Sequence, residues 1–188
     1  LPVPEGVVLE AGAIQVLPDQ RIAVSTRLGE IWFVANAFDK DPAKAKFTRF
    51  ASGLHEVLGL TTRGDGWIYA TQRGELTRIK DTNNDGRADL FETVTHYWGI
   101  NGDYHEYNFG SDPDKDGNVW VVHCLTGSGG ASDKSPWRGW CYRYNLDGTA
   151  TATTDADRSR TCIDPCVRER GSNLHQHQHQ HHHHHRQR

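Results

Sequence analysis

Short apolar segments alternate with polar turns along the chain, and one such arrangement recurs three times. The dipeptide His-Glu at 55–56 leads into VLGLTTRG and then, after a turn, into WIYA, while His-Glu at 105–106 leads through an acidic turn into NVWV. Leu-Glu at 9–10 begins an earlier copy that keeps the glutamate and lacks the histidine. A strand–turn–strand unit that recurs about every 50 residues indicates a repeat fold, and we interpret the unit as a β-propeller blade.

Each copy contains two further segments that are rich in β-branched and aromatic residues and bounded by Gly, Asp, Asn or Pro, as short strands are. No window shows a sustained helical period. The sequence therefore predicts an all-β fold, a partial β-propeller of about three four-stranded blades at about 5–52, 53–98 and 99–154. The further strands are predicted at 30–34, 47–51, 75–80, 90–97, 139–145 and 149–154.

Apolar residues become rare near the end of the chain. From residue 151 onward there is no aromatic side chain, and the large aliphatic residues are only Ile163, Val167 and Leu174. This is too little apolar surface to offset the entropy of ordering a chain, so residues 155–188 are predicted to be a disordered tail. The tail ends in a His/Gln-rich run that could bind Ni, Cu or Zn. The simpler interpretation is low-complexity sequence without a selected role.

Charge and terminal sequence narrow the class of protein. The formal net charge is -3, which argues against nucleic acid as a partner. No apolar run approaches the roughly 20 residues that a membrane-spanning helix needs. The sequence begins LPVPEGVV and has no methionine, so we expect a processed or excised piece of a longer protein.

Four cysteines bear on the compartment. Cys124 and Cys141 fall on neighbouring predicted strands, so a disulfide between them is geometrically allowed, while Cys162 and Cys166 form a C-x3-C pair in the tail. Free thiols are an equally good interpretation.

Residues 81–92, DTNNDGRADLFE, match the calcium-loop template position by position. Gly86 stands where the template needs its sharp turn, and the flanking segments are predicted strands rather than helices. The loop would therefore join two strands of the second blade, with a structural Ca²⁺ in place of a tight turn. The alternative is a solvated acidic turn without metal. The predicted ligands are Asp81, Asn83, Asp85, the Arg87 carbonyl, Asp89 and Glu92.

A second acidic turn matches the template less well. Asp112, Asp114 and Asp116, followed by Gly117, form a DxDxDG sequence without a late carboxylate. This pattern favours an Asp-rich turn that binds ions weakly at most.

The His-Glu pairs are the candidate chemistry. In a radial arrangement of blades, the strand after each pair would be the innermost one, so His55, Glu56, His105, Glu106 and Glu10 would surround the mouth of the central channel. A histidine can act as a base near neutral pH, and a neighbouring carboxylate can orient it. Alternatively, the pairs only satisfy buried backbone groups at the strand entrances.

The order of several motifs resembles that of a known family. It runs from His105 through Phe109-Gly110, DGNVWVV (116–122) and LTGSGG (125–130) to RGWCYRYNLDGT (138–149). This order resembles the glucose/sorbosone dehydrogenase family of six-bladed propellers, which use pyrroloquinoline quinone (PQQ). A more specific likeness is to the propeller domain named as a membrane-bound dehydrogenase in planctomycete-type bacteria. The segments that carry it are GLHEVLGL (53–60), RGELTRIKDTNNDGRAD (73–89), WGINGDYHEY (98–107) and PWRGW (136–140).

The resemblance implies roles for particular residues. His105 would be the base that takes a proton from a sugar hydroxyl as hydride passes to the quinone. The radial arrangement of the blades adds His55, Glu56 and Glu106, which together with Arg138 are predicted to line the cofactor site. Carboxylates on the quinone need basic partners, for which the candidates are Arg63, Arg73 and Arg138. Three blades cannot close a six-bladed ring, so this chain alone is expected to be inactive and to need further blades or a partner at its open strand edges.

We therefore expect a secreted or periplasmic partial propeller of the PQQ-dependent sugar or alcohol dehydrogenase type, stabilised by Ca²⁺. The first alternative is a non-catalytic, calcium-stabilised propeller that serves as a binding or scaffold module. A further alternative is a metal-dependent lactonase on a similar propeller. A small-molecule sugar or alcohol is the expected ligand of the enzyme.

Overall fold

The computed structural model describes residues 1–98, 100, 105–124, 141–145 and 150–153, the last four by their backbone only. Twelve strands follow one another, with a 3₁₀ turn at Pro42–Lys44. The strands are β1 Ala11–Val16, β2 Ile22–Thr26, β3 Ile31–Ala35, β4 Lys46–Ala51, β5 Gly59–Thr62, β6 Ile68–Thr71, β7 Leu76–Lys80, β8 Leu90–Thr95, β9 Asn108–Pro113, β10 Val119–His123, β11 Cys141–Tyr144 and β12 Ala150–Thr153.

The strands form three four-stranded sheets in which each strand pairs antiparallel with its neighbour in sequence. We call β1–β4, β5–β8 and β9–β12 the first, second and third blades. The prediction of an all-β, partial propeller fold is confirmed. Among the described residues no helix is long and apolar enough to cross a membrane.

The second blade is buried on both faces because it packs between the first and third blades, and its side chains alternate between the two faces along each strand. Ile68 and Ala70 of β6 point toward the first blade, while Tyr69 between them points toward the third. Burying a large apolar side chain of this kind stabilises a fold by about 1.5–3 kcal/mol. The cluster between the first and second blades includes Ile31, Phe33, Phe50, Val57, Leu60, Ile68 and Ile79. The cluster between the second and third includes Tyr69, Leu76, Val119, Val121, Tyr142 and Tyr144.

The first strands of the three blades lie side by side, since β5 contacts both β1 and β9. Their backbones approach so closely that glycine is required. A Cβ added to Gly59 would lie 1.3 Å from the carbonyl oxygen of Gly110, and one added to Gly12 would lie 2.1 Å from that of Val57. The strand that follows each repeated dipeptide, at 9–10, 55–56 and 105–106, is therefore the innermost strand of its blade, as the repeat predicts.

Buried hydroxyl groups tie the second strand of one blade to the first strand of the next, or to the segment just before it. The Ser25 hydroxyl donates to the carbonyl of Val57 at 2.8 Å. In the next blade, the hydroxyls of Thr71 and Ser111 bond to each other. These bonds satisfy polar groups that would otherwise be costly to bury, and they fix the inner ends of the blades relative to one another.

Two sequence predictions fall partly or wholly beyond the described residues. Cys141 lies opposite Val122 in the sheet, and Cys124 lies directly after β10. Cys162, Cys166 and the predicted tail at 155–188 lie outside the described ranges.

Candidate functional site

The short segments that lead into β1, β5 and β9, which we call the entrance segments, meet at one end of the blades. In each blade, a residue just past the second strand donates its backbone N–H to a carbonyl in the entrance segment of the first strand. These hydrogen bonds run from Arg27 to Glu10 (3.1 Å), from Arg73 to His55 (3.1 Å) and from Cys124 to Tyr107 (2.9 Å). The chain just past the second strand therefore lies beside the entrance segment in every blade.

Four side chains from all three blades meet at this end, and we call them the arginine cluster: Arg27, Glu56, Arg73 and Tyr107. The Glu56 carboxylate binds Arg73 at 2.6 Å through one oxygen and Arg27 at 3.2 Å through the other. Both guanidinium groups lie over the Tyr107 ring, at 5.4 Å for Arg73 and 5.9 Å for Arg27 from the ring centroid. Arg27 also donates to the Tyr107 hydroxyl at 3.4 Å.

Glu56 holds this arrangement together from a strained backbone. Its φ of 44° lies in the left-handed region that non-glycine residues rarely adopt, and such strain persists only where surrounding contacts over-determine the conformation. Burial by itself would raise the pKa of Glu56, but hydrogen bonds from Arg73 and Arg27 outweigh it and lower the pKa. Glu56 is therefore a carboxylate at neutral pH, and the cluster carries one net positive charge.

The predicted His-Glu pairs divide between solvent and interior. His55 is exposed, with its Nε2 4.0 Å from a Glu56 oxygen, and its backbone N–H donates to the Gln72 side chain at 2.6 Å. His105 is also exposed, whereas Glu106 is buried. The two histidines and Glu56 thus lie at the entrance end, while Glu106 belongs to the interior. Arg138 lies outside the described residues.

The sequence interpretation missed Arg27 and Tyr107. A signal for Arg27 was present, because RLGE at 27–30 and RGE at 73–75 precede the third strands of successive blades. Arg138-Gly139 stands at the matching place in the third copy. The extra leucine in the first copy hides the alignment.

Arg63 does not belong to this group. It follows β5 at the opposite end from the entrances, where it lies 3.6 Å from Asp65 and over the Tyr69 ring. The expectation that Arg63 joins Arg73 as a carboxylate partner is therefore wrong.

The predicted calcium loop connects β7 and β8, and its first half is wound tightly around its own backbone. The Asp81 carboxylate accepts the N–H groups of Asn84 and Gly86 at 2.7 and 2.9 Å. Asn83 accepts the N–H of Asp85 at 2.9 Å. These side-chain oxygens therefore bond backbone N–H groups of their own turn.

The late positions of the template are engaged elsewhere. Asp89 accepts two hydrogen bonds from Thr82, at 2.7 and 2.8 Å. Glu92 lies within β8 directly opposite Arg78 and binds it at 2.5 Å. In the described part of the chain, no group of three or more His, Cys, Asp or Glu side chains is arranged to hold a metal ion. In the structure Asp81, Asn83 and Asp85 thus bond within their own turn, and Glu92 pairs with a strand neighbour.

The second acidic turn is organised by Asp114. Its carboxylate accepts the N–H groups of Asp116 and Asn118 and binds the Asn118 amide and the Arg143 guanidinium. Burial opposes ionisation here, yet the bonds from Asn118 and Arg143 lower the pKa of Asp114 to about 2. The turn is held by donors of the protein itself, in keeping with its interpretation as an Asp-rich turn.

Solved structures of known proteins share this fold. No protein-family model and no curated protein matches the chain. A Thermus thermophilus protein described as an oxidoreductase (glucose dehydrogenase) superposes with a TM-score of 0.58 at 17% identity, over 75% of this chain and 45% of its own. A Carbohydrate-Active Enzymes family AA12 protein from Trichoderma reesei gives 0.58 at 13% identity, over 76% and 37%. The chain therefore shares its fold with these two proteins and spans less than half the length of either.

Proposed function

We propose that this chain supplies part of the ring and part of the cofactor site of a PQQ-dependent sugar or alcohol dehydrogenase. The observation that carries the proposal is the arginine cluster, which gathers side chains of three blades at the end where their entrances meet. The fold shared with a protein described as a glucose dehydrogenase supports the same function.

The donor set of the cluster suits an anionic, planar cofactor. Guanidinium groups bind carboxylates through paired, charge-assisted hydrogen bonds, and PQQ carries three carboxylates. Arg27, with its side chain 46% exposed, can turn toward such a group, while Arg73, at 14%, is held in place by Glu56. Arg73 and Arg27 would thus hold the acidic edge of the quinone, and Arg138 would add a third cation.

The histidines of the entrances supply the proton chemistry. When bound, PQQ would supply a hydride acceptor for the carbon that carries the substrate hydroxyl. A ring nitrogen of His105 takes the hydroxyl proton, which a neutral imidazole does well near pH 7. His55 lies beside Glu56 and shapes the pocket. His105 directly precedes the segment that holds Tyr107, so the base and the cluster share one entrance segment.

Binding of PQQ to the 188-residue chain tests the proposal. We expect PQQ to quench the tryptophan fluorescence of the chain, and Arg73→Ala to weaken binding about 10- to 100-fold, the effect of removing a charged hydrogen-bonding group. Arg49→Ala is the matched control, because Arg49 makes a comparable ion pair with Glu30 on the outer strand of the first blade. Equal affinities of the two variants would contradict the assignment of Arg73.

A binding or scaffold module is the second candidate, and one observation favours it. Glu56 already pairs with both arginines of the cluster, as expected of a structural lock between blades. In that case the parent chain does not bind PQQ, and Arg73→Ala lowers the melting temperature without affecting any quinone affinity.

We further propose that residues 81–92 bind a structural Ca²⁺ through Asp81, Asn83, Asp85, the Arg87 carbonyl and Asp89. Calcium at about 100 times its dissociation constant adds about 2.7 kcal/mol of stability, which is roughly 5–10 °C in melting temperature for a domain of this size. We expect Asp85→Ala to abolish this calcium-dependent shift in differential scanning calorimetry.

Glu92→Gln distinguishes the effect of calcium in the loop from the effect of the ion pair between β7 and β8. Since Glu92 binds Arg78, this variant should lower the melting temperature by the same amount with and without calcium. If calcium does not change the melting temperature of the parent protein, this loop has no calcium site.

A further inference from the structure

A buried polar network lies behind the arginine cluster, between the second and third blades. His123 and Asn108 are each 1% exposed, and neither has a part in the proposed proton transfer. His123 Nδ1 lies 2.7 Å from Asn108 Oδ1, and His123 Nε2 lies 3.0 Å from the Tyr144 hydroxyl. Buried groups of this kind are costly unless each finds a partner, so the network requires one specific arrangement of donors and acceptors.

The direction of each hydrogen bond follows from the Asn108 amide. Its Nδ2 donates to two backbone carbonyls, of Arg73 at 2.6 Å and of Gln72 at 3.3 Å. Its Oδ1 must then accept, so the proton of the neutral His123 ring lies on Nδ1. The Nε2 atom of that ring is then the acceptor, so the Tyr144 hydroxyl donates to it. Burial raises the pKa of Tyr144, in keeping with a hydroxyl that keeps its proton.

The network ends on the backbone of a cluster residue. The Arg73 carbonyl accepts a second bond from Trp98 Nε1 at 3.0 Å. The Trp98 ring in turn packs against His123 and Tyr144, at centroid distances of 5.0 and 5.2 Å. Trp98 and Asn108 therefore both donate to the Arg73 carbonyl. Trp98 is held by its packing against His123 and Tyr144, and Asn108 by its hydrogen bond with His123.

We propose that Asn108 and His123 are positioning residues for Arg73: the chain of bonds from Tyr144 through His123 and Asn108 sets the turn that presents the Arg73 guanidinium to Glu56 and to the ligand. The ligand part of this inference rests on the proposed function. Its basis is that paired guanidinium–carboxylate bonds depend on geometry, so a displaced Arg73 loses affinity although its charge is unchanged.

Asn108→Asp is the sharpest variant, because it keeps size and the acceptor for His123 but replaces the donor to the Arg73 carbonyl with an oxygen. We expect PQQ affinity to fall about 10-fold, as for a lost buried hydrogen bond, and the NMR signal of the Arg73 Nε–H to shift or broaden in the ligand-free chain. Asn118→Asp is the matched control. It makes the same change at the opposite end of the third blade, where Asn118 binds Asp114, and it should leave the Arg73 signal unchanged.

His123 provides a second variant in case Asn108→Asp does not fold. His123→Asn keeps a donor near the Nδ1 position and should retain more PQQ affinity than His123→Gln, which places its amide nearer the Nε2 position. Imidazole ¹⁵N shifts of the parent chain should show His123 protonated at Nδ1.

The outcomes separate this inference from the proposed function. If the parent does not bind PQQ but the Arg73 signal responds to Asn108→Asp, the quinone proposal fails and the positioning role stands. The positioning role is overturned if Asn108→Asp and Asn118→Asp change the Arg73 signal and the PQQ affinity equally. It is also overturned if His123 is protonated at Nε2.

Discussion

His105→Ala should lower sugar turnover by about 10²- to 10⁴-fold in a protein that carries this chain together with the remaining blades of its ring. This is the usual cost of removing a general base, and here it rests on the proposed dehydrogenase function. The fold and the PQQ affinity should be nearly unchanged, because His105 is exposed and the arginine cluster is intact. Dye reduction over a panel of aldoses measures the effect, and the 188-residue chain alone should show no turnover.

His96→Ala is the control for this experiment. His96 is equally exposed but lies directly after β8, the outer strand of its blade, so its loss should not affect turnover. Activity that survives His105→Ala excludes His105 as the base. A parent without activity on any aldose favours the binding-module function.

Gly59→Ala should destabilise the chain by about 3 kcal/mol or more in urea denaturation. The added Cβ would lie 1.3 Å from the Gly110 carbonyl oxygen, so two innermost strands would have to move apart. Overpacking costs about 1–3 kcal/mol even where only side chains must move, and here the backbone must move. Gly74→Ala is the matched control. Its Cβ would meet the tip of the Ile100 side chain at 2.8 Å, which can turn away, so we expect a loss below about 1 kcal/mol.

If Gly59→Ala lowered the free energy of unfolding as little as Gly74→Ala is expected to, the inner strands could separate at little cost. The close approach of Gly59 to Gly110 would then not determine the spacing of the blades.

The strands could be predicted because their signals are local. Alternating apolar residues and turn residues placed the third strand of the first blade at 30–34, against Ile31–Ala35 in the structure. In the calcium loop, local spacing and strand pairing assign one residue to different partners. The template assigns Glu92 to the ion by its position alone, whereas strand pairing sets it opposite Arg78, whose charge it neutralises.

The candidate site was harder to predict because its contacts join residues far apart in sequence. Arg27 reaches Tyr107 across two blade boundaries, and no pattern within one copy encodes that distance. The same holds for Asn108, whose amide binds a carbonyl 35 residues away. The entrance histidines could be found because repetition marks equivalent positions, but repetition does not reveal which side chains meet.

The burial of the second blade on both faces gives the chain a preferred order of unfolding. Leu60 of β5 is 6% exposed against the first blade, whereas Ile14, at the matching place in β1, is 65% exposed. In a linear array, each unit is stabilised by the interfaces it makes, so a blade with two packed faces opens at a higher free-energy cost than one with a single packed face. The middle blade should therefore exchange its amide hydrogens more slowly than the first blade, which should fray from it.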